Sequence, residues 1–406
     1  MKKIKMSLVA VIAATTTTTC ANAGVLDSIL SNPKLNFELR PRYEYVDQDG
    51  IAKEANAFTV RTALGTQFEL ANIDGLNVQV QMMNVANFGE ESYNSTSNKK
   101  TNYPVVADPD QTRVTQANIS YAKNGFVGII GRKMVALDNH RFIGHVGWRQ
   151  MPQTYDLVAV IYNGVKNLNL LGAYVNRVHQ VKDNAKLDTG SVLLHATYKV
   201  MPELTVTAYD YMLQNFADHI GIRATGKIDA NGVKFAYEAE YAVQNDPTLD
   251  ESDEPLYSAT RKQDANYYKI GANATMNGFT IGATYEVLGD KGDGDFAFYT
   301  PLATLYAMNG WADKFLLNTP DDGLVDMNLK LAYNAGKYGK LVTIYHKFES
   351  DKGSIDYGTE IGASYELKIN KNLGLLVRGA WYDADKYGTD TTKYWMQLDY
   401  KFNAKL

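Results

Sequence analysis

The sequence predicts an all-β fold: a single transmembrane antiparallel β-barrel of about 18 strands, with short turns at one end and long loops at the other. Three observations carry that expectation. Apolar and polar side chains alternate with period two over stretches of roughly 10 to 14 residues, which gives strands with two differently solvated faces. Such stretches are close to the ~9–11 residues a tilted strand needs to cross a bilayer, and longer than the ~5–6 usual in soluble sheets. The connections alternate between tight turns and long polar segments, and no apolar run of about 20 residues offers a membrane-spanning helix instead.

The composition narrows the function classes. The 406 residues include 41 basic and 45 acidic side chains, 32 Gly, 28 Tyr, 10 Pro and one Cys. One cysteine excludes a disulfide framework, and near-balanced charge gives no case for nucleic-acid binding. Residues 1–23 read as a signal peptide. Lys2, Lys3 and Lys5 form a charged start, Met6 to Ala14 is a short apolar stretch, and Ala21-Asn22-Ala23 is a small-x-small cleavage site. A lipoprotein signal is not read, because Thr17 stands where a Leu-like residue should precede Cys20. Cleavage after Ala23 would leave residues 24–406, 383 in number (406 less 23), as one barrel domain without cysteine. Loss of three lysines moves the formal charge from −4 to −7. An exported, cysteine-free, Tyr- and Gly-rich chain of this kind suits the outer membrane of a Gram-negative bacterium.

The strands follow in order. Segment 34–46 sets Leu35, Phe37, Leu39, Tyr43 and Tyr45 against Lys34, Glu38, Arg40, Arg42 and Glu44. Further candidates span 56–70, 75–88, 112–123, 125–134, 153–163, 166–178, 188–200, 202–214 and 218–229. In 231–244 the odd positions from Val233 are Val, Phe, Tyr, Ala, Tyr and Val, and the even ones include Lys234, Glu238 and Glu240. Then come 264–277, 278–289, 323–335, 338–350, 354–369, 372–385 and 391–402; in 354–369, Ile361 should face out and Gly362 in, with room for a serine. Tight turns at Asn72-Ile73-Asp74-Gly75, Asn124-Gly125, Asn163-Gly164, Met201-Pro202, Asn231-Gly232, Asn277-Gly278, Gly336 to Gly339 and Asn370 to Asn372 join every second pair. The chain continues past Phe402 with Asn403 to Leu406, so it lacks the terminal aromatic common in outer-membrane barrels.

Two loop segments are more individual. One holds Gly131-Arg132-Lys133, Leu137 to Gly144, Val146-Gly147-Trp148-Arg149-Gln150 and Gln153 to Asp156. The other runs from Thr300-Pro301-Leu302 through Asn309-Gly310-Trp311-Ala312-Asp313-Lys314-Phe315 to Thr319-Pro320 and Gly323-Leu324. With the Arg-rich first strands, these blocks resemble the alginate-export-like family of outer-membrane channel proteins over most of the chain. The resemblance implies a monomeric 18-stranded barrel with infolded loops and a positively lined pore.

Alternation places Arg40, Arg42 and Arg61 on the lumen face of the first two strands, and by the same parity Arg223, Lys227, Lys234, Lys269 and Arg378 point inward. Arg132, Arg141 and Arg149 belong to the first loop block. Guanidinium groups keep their charge and offer forked donors to carboxylates, so the expectation is a constriction with a net positive eyelet. The competing reading pairs these groups with Glu38, Glu44, Glu69, Glu238 and Glu240 in a neutral lattice. Trp148, Trp311 and Asp313 are expected to anchor the loops to the wall, with part of 136–152, part of 296–320, or both, folded inside. The spaced carboxylates of Gly289 to Asp295 lack the closing Glu of an EF-hand and read as a solvated loop near lipopolysaccharide.

No Gly-x-Ser-x-Gly elbow or His-Glu-x-x-His motif is present, and the six histidines are scattered. The expectation is a non-enzymatic channel, without cofactor, for passive passage of anionic or sugar-like solutes, polyuronates included. A general diffusion porin and a surface hydrolase or adhesin on a barrel scaffold are the alternatives. The expected partners are outer-membrane lipid, lipopolysaccharide and the anionic or carbohydrate solute.

Overall fold

The computed structural model describes residues 30–182, 185–249, 262–316 and 319–405. The signal-peptide reading of 1–23, with Cys20, and the loop acids Asp250, Glu251, Asp253 and Glu254 therefore lie outside the described residues. The chain forms a closed antiparallel barrel of 18 strands. They are β1 (Leu30–Gln48), β2 (Ala55–Leu70), β3 (Leu76–Asn87), β4 (Gln111–Lys123), β5 (Phe126–Lys133), β6 (Thr154–Tyr162), β7 (Leu168–His179), β8 (Lys186–Met201) and β9 (Leu204–Leu213). The second half holds β10 (Ala217–Ala230), β11 (Val233–Asn245), β12 (Asp264–Met276), β13 (Phe279–Leu288), β14 (Leu324–Asn334), β15 (Lys340–Glu349), β16 (Asp356–Lys368), β17 (Leu373–Ala384) and β18 (Thr391–Lys405). Each strand pairs with its sequence neighbour, and β1 with β18 closes the ring. Closure leaves no sheet edge with unpaired backbone groups, which hydrocarbon would not tolerate.

The junction explains the residues beyond Phe402. The last strand runs on to Lys405, past the expected 402, and the start of β1 supplies its partners: Phe37 stands opposite Phe402, Leu35 opposite Ala404 and Lys34 opposite Lys405. At the short-turn end, Asn124-Gly125, Asn231-Gly232 and Asn277-Gly278 have both φ angles positive, between +51° and +86°. That is the geometry a two-residue hairpin needs, and Asn and Gly adopt it cheaply. The Asn163-Gly164 pair does not turn this way; the left-handed residue there is Asn167, immediately before β7.

The two faces separate as the alternation predicts. Outside, Ile130, Ile270, Ile281, Leu331, Ile361 and Met396 are between 48 and 62% exposed. Aromatic pairs flank this aliphatic zone. Phe126 meets Tyr162 at 4.4 Å and Phe279 meets Tyr333 at 4.2 Å at the short-turn end; Tyr45 with Tyr394, and Tyr268 with Tyr285, lie toward the other. Aliphatic middle and aromatic rims are the pattern of a barrel wall facing a bilayer.

Replacing Ile361 by Arg puts a charge on this outer face, at a cost of about 2–4 kcal/mol near the midplane. The inward Gly374 is the contrast, since a Cβ there meets nothing closer than the Leu367 carbonyl oxygen at 3.8 Å. Ile361→Arg is expected to reduce the heat-modifiable folded band on a gel, and Gly374→Ser to leave it intact; equal behaviour would overturn the face assignment.

Candidate functional site

The barrel interior is filled by loops. The 134–153 loop leaves β5 and crosses the lumen. At one side the Gly147 carbonyl accepts from Arg40 at 2.9 Å, and the Trp148 carbonyl accepts from Arg42. The Gln150 amide donates to the Thr59 hydroxyl at 3.0 Å and the Arg40 carbonyl at 3.2 Å. At the other side Phe142 sits among inward aromatics of the opposite wall, 5.0 Å from Tyr209 and 5.6 Å from both His219 and Tyr267. One loop thus braces β1 and β2 against β9 to β12.

The 289–323 loop locks onto it. The Gly144 N–H donates to the Leu302 carbonyl at 2.8 Å, the Thr304 N–H to the His140 carbonyl at 3.0 Å, and the Val146 N–H to the Thr304 hydroxyl at 3.1 Å. Gly144 is required here, because a Cβ would stand 2.2 Å from the Thr304 hydroxyl oxygen. Its tip docks on β16, where Glu360 accepts the N–H groups of Trp311 and, at 3.0 Å, Ala312. The Trp311 ring covers Gly362 so closely that a Cβ would lie 2.7 Å from it. The expectation that Gly362 has room for a serine is corrected: it faces inward, but the indole occupies the space.

The arginines are paired. Arg40 holds Asp399 at 2.6 Å and Arg61 holds Glu38 at 2.9 Å. Arg42, fully buried, donates to Gln397 at 2.8 Å, lies 3.8 Å from Asp108 and stacks 4.3 Å from the Trp148 ring. The three therefore do not form an uncompensated cluster. Lumen burial makes an unpaired charge too costly, and the register brings partners within reach. Arg132 is held in a fork by Asp156 at 2.6 and 3.0 Å. Arg141 meets Glu286 at 3.3 Å and donates to Asn309 at 3.0 Å. Arg223 lies between Glu238 at 2.7 Å and Glu240 at 3.5 Å, and Lys269 meets Glu238 at 2.8 Å. Lys227 and Lys234 are exposed near the 231–232 turn, away from the loops.

Arg149 gathers the most partners. Glu44 on β1 lies at 2.9 Å, Asp108 on the 88–110 loop at 3.5 Å and Asp313 on the 289–323 loop at 3.3 Å. The Tyr306 ring covers its guanidinium at 4.3 Å. Burial pushes Arg149 down, but Glu44, with Tyr306, Asp108 and Asp313, outweighs it and holds the group well above its ordinary value. Asp313 also receives Lys393. Arg378 differs from the rest: among the described residues no carboxylate lies within ion-pair distance, and the guanidinium sits between Trp148 at 4.2 Å and Trp311 at 4.0 Å. Both tryptophans thus anchor loops and clamp a wall cation.

Adjacent residues Trp148 and Arg149 line different cavities, so the loop at this point is the wall between them. Toward the short turns lies a space of about 600 Å³ with Lys340, Lys368, Lys371 and Lys401 against Glu366 and Asp399. Toward the long loops lies about 450 Å³ with Arg149, Lys314 and Lys393 against Asp313. Four lysines face two carboxylates in the first. In the second, Glu44, Asp108 and Asp313 match Arg149 and Lys393, which leaves Lys314 as the lining cation without an ion pair among the described residues. Burial, and next the neighbouring Lys393, lower Lys314 to about 8.

Several residues at this wall escaped the sequence reading. Asp108 had no local signal, and Gln150 stood in the first loop block without a role of its own. Glu360 and Lys393 already lay on the polar face of their strands by alternation. Among the described residues no group of three or more His, Cys, Asp or Glu is arranged to hold a metal ion. In the acidic 289–295 stretch, Asp290 pairs with Lys352 at 3.2 Å, and Lys291 with Asp321 at 3.0 Å. His140 and His145 stack edge to face at 5.0 Å, and burial holds both imidazoles below their ordinary value.

No family model matches the chain, so the resemblance to alginate-export-like channels gains no support there, and no curated protein matches either. Solved structures do. They share the barrel fold at low identity. Pseudomonas aeruginosa OpdK with vanillate superposes with a TM-score of 0.73 at 13% identity, covering 93% of this chain and 100% of that one. Acinetobacter baumannii OccAB4 gives 0.71 at 12%, covering 92% and 99%. Pseudomonas aeruginosa OccK8 (OprE) gives 0.70 at 14%, covering 93% and 100%.

Two variants test the wall. Arg149→Met leaves Glu44 and Asp108, each at most 1% exposed, without their strongest cation; breaking such a buried pair costs about 3–5 kcal/mol. The folded band should be lost at a lower temperature than for the parent. Glu360→Ala removes the acceptor of the 289–323 loop tip and should raise single-channel conductance in a planar bilayer; unchanged conductance from a folded variant would mean the tip does not narrow the path.

Proposed function

We propose that the chain is a passive outer-membrane channel for small anionic or sugar-like solutes, exported by its 1–23 signal and working as a monomer without cofactor or catalysis. The observation that carries the reading is the excess of lysines over carboxylates in the space toward the short turns, with Lys314 outside any ion pair among the described residues on the other side of the loop wall, in a chain whose formal net charge is −4. Low-dielectric walls focus such a field and raise the local anion concentration. The aliphatic outer face bounded by aromatics supports placement in lipid, with the long loops toward the lipopolysaccharide side. Among the structural neighbours, OpdK carries vanillate, an aromatic carboxylate. That supports a small organic anion as the solute class; a polyuronate belongs to the same chemistry at greater length.

A general porin set by its acidic outer loops is the rival, and reversal potential under a salt gradient separates them. The parent should pass anions in preference to cations. Lys340→Gln, Lys368→Gln and Lys401→Gln together should lower that preference, and a reversal potential that stays put would sink the reading. Lys314 adds a pH signature. Held near 8, it is mostly charged at pH 7 and mostly neutral at pH 9, so anion preference should fall as pH rises across that window. Lys314→Met should show the lower preference at both pH values.

A further inference from the structure

A third cavity, of about 230 Å³, opens at the long-loop end and shares Leu316 with the space of about 450 Å³. Leu187 at the start of β8, Phe216 between β9 and β10, and Leu305 and Phe315 of the 289–323 loop supply apolar sides. Two polar groups interrupt them. Arg141 is fully buried, and among the described residues its Nη2 has no hydrogen-bond partner. Thr300, 5% exposed, has a hydroxyl without a hydrogen-bond partner among the described residues. A guanidinium edge and a hydroxyl left unmet in an apolar recess cost free energy until an oxygen meets them.

The charge of Arg141 is already matched. Glu286 lies 3.3 Å away, and the Asn309 amide that accepts from Arg141 donates to Glu286 at 2.9 Å and to Asp326 at 3.2 Å. A carboxylate brought to the free edge would be a further negative charge beside Glu286 in a low dielectric, and like charges there repel strongly. An uncharged oxygen accepts the hydrogen bond without that repulsion. We propose that this cavity is a binding site for a small uncharged solute with an aromatic or branched apolar body and one hydrogen-bond-accepting oxygen, seated against Arg141 and Thr300. The site goes beyond the anion-channel reading: it sits at the outer mouth, selects on shape and hydrogen bonding, and takes the solutes that the positive path does not favour.

Benzamide and benzoate are nearly the same size and differ in charge, which makes them the probes. Each is titrated calorimetrically into the full-length barrel folded in detergent, with protein-free micelles subtracted. Saturable binding of one benzamide per chain is expected, about tenfold tighter than benzoate, whose charge the neighbouring Glu286 repels. Leu187→Trp and Leu305→Trp, which fill the recess, and Thr300→Val, which removes the hydroxyl, should each weaken benzamide by about tenfold or more. Retention of the heat-modifiable band identifies the folded variants among the three, so one that fails to fold leaves the others to decide. Benzoate binding as tightly as benzamide, or benzamide binding unmoved by a folded recess variant, would overturn the site. No gradient or current enters this experiment, so loss of anion preference in the bilayer leaves it untouched, and loss of benzamide binding leaves the channel reading untouched.

Discussion

The Arg149 guanidinium, with Glu44, Asp108 and Asp313 around it, is the contact on which the interior arrangement depends. Its three carboxylates come from the barrel wall and from two different loops. A single five-donor fork therefore joins the 88–110, 134–153 and 289–323 segments to β1. Loops inside a barrel have no sheet of their own to satisfy them, and their backbone must find partners or water. Here the carboxylates and amides of Asp108, Gln150, Gln153 and Glu360 serve: Asp108 accepts the Gln150 N–H at 2.7 Å, and Gln153 donates to the Gly144 carbonyl at 3.0 Å. Without the Arg149 hub these contacts would join loops to one another but hold them less firmly to the wall.

Apolar packing makes the arrangement rigid. Phe142, Ile143, Tyr155, Tyr267, Phe298 and Phe348 are each at most 6% exposed, and they belong to one continuous cluster inside the barrel. A lumen lined only by polar side chains would leave the loops free to swing. The aromatic residues of β9, β12 and β15 instead grip the two loops by their middles, while charged groups fix their tips. The constriction is thus built as a small protein core placed crosswise in a tube, and its shape should vary little between the two cavities it separates.

The barrel was legible because its cause is local. Period-two alternation records which face of each residue meets lipid, so all 18 strands could be placed to within a few residues, and the inward side of Arg40, Arg42, Arg61, Arg223 and Arg378 with them. Partners were not legible in the same way. Whether Arg61 is free or held by Glu38 depends on register across a loop, and Asp108 meets Arg149 only because two separate loops fold inward together. Gly362 shows the limit most plainly: its face was readable, but the indole of Trp311, 51 positions away in the chain, was not.

The division between arginine and lysine follows from the same physics. Arginines occupy the buried wall, where Arg42, Arg141 and Arg149 are at most 1% exposed and each fork meets several acceptors at once. A planar, weakly hydrated guanidinium suits that task, because its charge is spread and its donors are already aimed. The charge not matched within the wall is carried by lysines: Lys340, Lys368, Lys371 and Lys401 on one side, Lys314 on the other. An ammonium on a flexible stem keeps water and can follow a moving ion without holding it. Arg378 stands between the two groups, since its guanidinium is buried like a structural one yet faces two indoles and, among the described residues, no carboxylate within ion-pair distance. A solute anion passing from one lysine set to the other would therefore meet, at the wall, a cation fixed in place by aromatic rings, while the paired arginines around it keep the shape of the passage.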